Sequence, residues 1–114
     1  MPIHVEDVST LQTYLSGVVQ KAGHHAENVR YVAVALVGAI VLFKDADREI
    51  KVFTREGEMA NVMWVHIHGS QYVFSYEHKS QSIVLKRGNT QGEVVVHFTN
   101  ATTIPDILHT FEGL

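Results

Sequence analysis

Residues 61–78 read N-V-M-W-V-H-I-H-G-S-Q-Y-V-F-S-Y-E-H, and this stretch decides the fold. Apolar and polar residues alternate on both sides of Gly69-Ser70, the period of two that belongs to β-strands. A two-residue type II′ turn with Gly69 at its first central position pairs His68 with Gln71, Ile67 with Tyr72, Val65 with Phe74 and Met63 with Tyr76. Opposed residues of an antiparallel ladder point the same way, so Met63, Val65, Ile67, Tyr72, Phe74 and Tyr76 form one apolar face. A turn at Lys79-Ser80 then pairs Tyr76 with Ile83 and Phe74 with Leu85, again apolar against apolar. Val94, Val96 and Phe98 extend the same face. Two turns read independently give one core side, and that agreement is stronger than either alone.

The opposite face collects Trp64, His66, His68, Gln71, Val73, Ser75, Glu77, Ser82, Val84 and Lys86, with Val95, His97 and Thr99. A Trp beside histidines on a sheet surface suits recognition. The candidate binding residues are therefore Trp64, His66, His68, Ser75 and Glu77. Tyr72 and Tyr76 join them if the apolar face is left open as a pocket beneath the helices. The competing reading is an ordinary solvated face whose Trp is covered by a loop.

Outward from this hairpin, the flanks divide into helices and strands. Ser9 and Gln12 read as a capping box, and Val8, Leu11, Leu15, Val18, Val19 and Ala22 recur at helical spacing up to Gly23. Residues 26–37 carry a second helical stripe in Val29, Val32, Ala33 and Leu36. Residues 27–43 read as one long buried helix, one long strand, or a helix passing into a strand. Gly38 punctuates the stripe, and the β-favouring Ile40-Val41-Leu42-Phe43 favours the last reading, with a strand over 39–44. Strands are expected at 49–55, 61–68, 71–77, 82–86 and 93–99. Thr102 or Thr103 caps a last helix with Pro105 in its first turn and Ile104, Ile107, Leu108 and Phe111 as its stripe. The expected fold class is α+β: two N-terminal helices, an antiparallel meander of five to six strands, and one C-terminal helix packed on one sheet face.

Composition bounds the function. The chain has 114 residues, enough for one globular domain spanning 1–114 and no second core. Its net charge is −3 and its only adjacent basic pair is Lys86-Arg87, which argues against a nucleic-acid partner. Without cysteine it has no disulfide scaffold, thiolate nucleophile or Cys-ligated zinc. The apolar run 31–43 is shorter than the roughly 20 residues a membrane span needs. The start lacks the basic-then-apolar order of a signal peptide, so a cytoplasmic location is the expectation.

Chemistry is sparse. His66-x-His68 puts two imidazoles about 7 Å apart along one strand face. A catalytic zinc needs a third protein ligand, and Glu77, opposite Val62 in this register, is too far from His66 to supply it. His24-His25 are neighbours and share no helix face. There is no G-x-S-x-G elbow and no H-E-x-x-H. Residues 88–92, G-N-T-Q-G, lack the Lys and following helix of a P-loop. No catalytic residue, metal site or cofactor is expected.

The string G-A-I-V-L-F-K-D-A-D-R-E-I-K-V-F-T-R-E-G-E-M-A-N-V-M-W-V-H-I at 38–67, with F-S-Y-E-H at 74–78 and T-Q-G at 90–92, resembles a group of small uncharacterised bacterial proteins found among integron gene-cassette products. The resemblance covers most of the chain after His25. It implies a stand-alone bacterial protein, often oligomeric in that class, and carries over no activity. The sequence thus points to a non-enzymatic binding or interaction protein that forms a homo-oligomer and takes a small molecule or protein around Trp64 and His66. The alternatives are a small enzyme with His66 as general base, and a regulatory partner of another bacterial protein.

Overall fold

The computed structural model describes residues 8–9, 11–12, 27–55, 58–77 and 79–114. The first expected helix lies outside them except for Val8, Ser9, Leu11 and Gln12, which are helical. The rest is α+β. A 3-10 turn, Glu27–Val29, leads into α1, Arg30–Phe43. The strands β1 (Lys51–Arg55), β2 (Glu58–Ile67), β3 (Ser70–Glu77), β4 (Ser82–Arg87) and β5 (Val94–Phe98) follow, then α2, Ile104–Glu112. The five strands form one antiparallel sheet in chain order.

The sheet's core face carries Met63, Val65, Ile67, Tyr72, Phe74, Ile83, Leu85 and Phe98, all buried. They pack with Val29, Val32, Ala33, Leu36, Ala39 and Ile40 of the helical segment and with Ile107 and Phe111 of α2. Phe111 is the hinge of this layer. Its ring stacks on Phe74 at 5.9 Å between centroids and meets Phe43 at 5.7 Å. Such aromatic pairs add about 0.5–1.5 kcal/mol beyond the area they bury.

The strand expected at 39–44 is the last part of α1. Ile40 and Phe43 continue the stripe of Val29, Val32 and Leu36 at steps of three and four, so burying them requires the helical period. Gly38 points outward and does not interrupt it. Tertiary packing here outweighs the β preference of Ile and Val. The helix stops at Lys44, whose extended backbone bridges to Ile67.

The β3–β4 register is as expected, with Phe74 opposite Leu85 and Tyr76 opposite Ile83. The β2–β3 register differs by two residues. Ile67 pairs with Ser70, Val65 with Tyr72 and Met63 with Phe74. The turn's central residues are His68 (φ 51°) and Gly69 (φ 83°), both positive as a type I′ turn needs. Asp45 Oδ2 accepts a 2.9 Å hydrogen bond from the Gly69 amide and pins this geometry. A shift of two keeps every strand side chain on its expected face.

A bulge between β4 and β5 changes the end of the last strand. Leu85 pairs with Val96 but Lys86 pairs with Val94. Val94, expected in the core, is therefore exposed, while Val95, expected on the other face, packs against the core.

The N-terminus of α1 has no local side-chain cap. The amides of Tyr31 and Val32 donate instead to Oδ1 of Asn100, at 2.9 and 3.0 Å, and the Asn100 amide donates to the Asn28 carbonyl. α2 is capped locally, Thr103 accepting from the Asp106 amide. Asn100→Ala is expected to lower unfolding stability in a urea titration by about 1–2 kcal/mol, the usual cost of a lost cap. Asn100→Asp keeps the acceptor and adds a charge favourable to a helix N-terminus, so it should restore most of that loss.

Candidate functional site

Trp64 and His66 lie on β2 with side chains pointing away from the helices, because Met63, Val65 and Ile67 between and beside them fill the core. Trp64 is half-buried between Lys51 on β1 and Val73 on β3. His66 is half-buried opposite Gln71, whose amide donates to the Gly88 carbonyl. The Nδ1 of His66 is shielded from solvent and has no hydrogen-bond partner among the described residues. Such an orphaned polar atom costs about 1–3 kcal/mol and calls for an explanation.

The floor of this face is apolar. Val73 and Val84 are fully buried yet belong to neither helix-side core nor loop. Ser75 lies half-buried between Val62 and Val84. Trp64, His66 and Ser75 thus share one surface, with Val73 in its middle.

The other candidates are elsewhere. His68 leaves the face of His66 because its left-handed backbone breaks the strand alternation. Its Nδ1 lies 2.9 Å from the Leu114 carbonyl oxygen, and its ring stands edge-on to Phe43 at 6.2 Å. His66 and His68 are therefore not a pair. Tyr72 is a core residue, 1% exposed, with its hydroxyl accepting from Arg87 Nη1 at 3.3 Å and the guanidinium over its ring. No open pocket exposes it. Tyr76 is half-buried at the margin of the same core. Glu77 opposes Ser82, and since Ser75 rather than Glu77 faces Val62, it lies farther from His66 than the expected register put it. Among the described residues no three His, Cys, Asp or Glu groups could hold a metal ion.

One polar chain was not picked out from the sequence. Ser82 is 1% exposed, and its Oγ lies 2.6 Å from Ser80 Oγ and 2.9 Å from His97 Nδ1. Strand alternation places Ser82 and His97 on one face, but no local pattern marks a serine as buried. A Ser–His dyad acts as a nucleophile only where the hydroxyl reaches substrate. Here the Ser82 hydroxyl is buried and its bond to the exposed His97 ties β4 to β5. His97 also borders an open cleft of about 570 Å³ between β5 and α2, with Thr99, Asp106, His109 and Thr110 on its walls.

The arrangement is an α+β protein with helices on one face of an antiparallel sheet and a mixed polar and apolar surface on the other. Residues 11–108 match the protein family described as "Integron cassette protein VCH_CASS1 chain", and the chain belongs to that family. The description names an origin in integron cassettes and no activity. No curated protein matches the chain. No described helix is long and apolar enough to cross a membrane.

Tyr72 distinguishes a filled core from a pocket. Tyr72→Ala should cost about 3–5 kcal/mol in chemical denaturation, as for other large aromatic truncations. Tyr72→Phe, which gives up one long hydrogen bond, should cost less than about 1.5 kcal/mol.

Proposed function

We propose that the protein is a small non-enzymatic binding module that self-associates and takes a ligand or partner on the sheet face around Trp64 and His66. The observation that carries this reading is the unpartnered Nδ1 of His66. Its ring is partly exposed, and rotation about the Cβ–Cγ bond exchanges the nitrogen with the Cδ2 carbon, which offers a second position for the polar atom. A ligand carrying one hydrogen-bonding group and a flat apolar part fits this pair of side chains: the polar group meets the imidazole and the flat part lies on the Trp64 indole. Ser75 supplies a hydroxyl on the same surface. Self-association draws support from a different element, the outer face of α1, where Tyr31, Val34, Val41 and Leu42 are exposed.

A thermal-shift screen of metabolites and metal salts tests the ligand reading, since a compound selective for the folded state raises the apparent melting temperature. A hit should shift wild type and lose its shift in both Trp64→Ala and His66→Phe. His66→Phe removes the orphaned nitrogen and should itself be as stable as wild type or more so. A hit whose shift survives both substitutions would place binding elsewhere on the molecule.

A further inference from the structure

Helix α1 is apolar on two opposite sides. Val29, Val32, Leu36, Ile40 and Phe43 face the sheet. Tyr31 (72% exposed), Val34 (54%), Val41 (57%) and Leu42 (68%) face out, with Gly38 at their centre. At 100° per residue these five positions fall within a stripe about 100° wide. A helix apolar all round is ordinarily covered on every side. The outer stripe has no charge among its residues, although a solvated helix face usually carries several.

We infer that this stripe is covered by the same stripe of a second copy, packed antiparallel with the crossing at Gly38. Three lines of argument converge on a second copy. The first is symmetry. Val34, four residues before Gly38, meets the partner subunit's Leu42, four residues after it, and the contact repeats with the roles exchanged, as a two-fold interface requires. The second is Gly38 itself. A β-carbon built there meets nothing within 4 Å inside its own chain. A glycine in an exposed helix interior is unfavourable relative to alanine, and it is the residue that lets two helix backbones approach closely. The third is charge. α1 has no acidic residue in its first turn and no basic residue in its last. Its one cation, Arg30, sits at the N-terminal end, with Glu27 in the turn before it, and Asp45 and Asp47 follow the C-terminal end, so Arg30 and the two aspartates each lie at the end the helix dipole disfavours. Lys44 and Arg48 share that turn, the former donating to the Asp45 carbonyl. In the antiparallel pair Arg30, eight residues before the crossing, comes to the partner subunit's Asp45–Asp47 segment, seven to nine after it. Each reversed charge then lies beside the helix end that attracts it.

This inference rests on the self-association reading and specifies its surface. The helix is 14 residues long, so the contact is modest and the dimer should dissociate on dilution. Light scattering and sedimentation of the full chain from about 1 to several hundred µM are expected to show a monomer–dimer equilibrium. Val34→Glu and Val41→Glu should be monomeric throughout with unchanged circular dichroism. Gly38→Ala should weaken dimerisation roughly tenfold or more, because its new methyl meets the partner. The same substitution on the Val34→Glu monomer should raise thermal stability, because there it only improves the helix. Arg30→Glu and Asp47→Arg should each weaken the dimer, and the double variant should recover it, a rescue that misfolding cannot produce. A dimer that persists in the folded glutamate variants overturns this surface but leaves self-association standing. A monomeric wild type over the whole range overturns both.

Discussion

One row of side chains governs the molecule. Val52, Met63, Phe74, Leu85 and Val96 lie directly opposite one another from β1 to β5, each 11 residues after the last. The chain crosses this line five times, and every crossing delivers an apolar group to the same side. Because strand side chains alternate, fixing that row fixes both faces of the sheet. Helices α1 and α2 are then placed by what they must cover, with Phe111 against Phe74 and Ile40 and Leu36 over the neighbouring core. Turn lengths, bulges and caps adjust around the row without moving it.

This explains which parts of the fold were legible in the sequence. Alternation reports parity, so the core face of β2, β3 and β4 could be read directly. Parity is blind to a slip of two. Gly69-Ser70 and His68-Gly69 both make acceptable two-residue turns, and the choice between them depends on Asp45, which reaches the turn only after the chain has folded. Residues 39–44 are ambiguous in the sequence for a related reason. Their composition favours a strand, but their steps of three and four continue a stripe that only a tertiary partner reveals. The bulge that exposes Val94 and the Asn100 clamp on α1 have no local signature, since each is made by residues brought together across the sheet.

The candidate site was legible to the extent that it follows parity. Trp64, His66 and Ser75 share a face because they alternate with core residues. Tyr72 and Tyr76 sit on the core side, as alternation indicates, and could line a site only beneath an open pocket; the filled core leaves Tyr72 serving as bulk. His68 left the group because one residue with positive φ is enough to rotate a side chain out of its strand's sequence of faces. What the sequence could not disclose was burial on the outer face. Val73 and Val84 are as enclosed as the main core, so a surface that composition describes as mixed and solvated has a dry floor beneath its polar residues. The orphaned nitrogen of His66 is likewise a property of packing alone.

The clamp of Asn100 on α1 has a consequence for synthesis on the ribosome. Tyr31 and Asn100 are separated by 69 residues. At about 5–20 residues per second, α1 leaves the ribosome roughly 3–14 s before its capping side chain. The sheet face that buries its inner stripe is also made after it. During that interval a helix apolar on both sides has neither its cap nor its cover, and such a segment is what holdase chaperones and hydrophobic aggregation both select. Slow codons in the region encoding β1–β5 would lengthen the interval, while a circular permutant that begins at β1 would remove it. The order in which the chain is made therefore leaves α1 waiting for both its cap and its cover until the sheet and Asn100 have followed it.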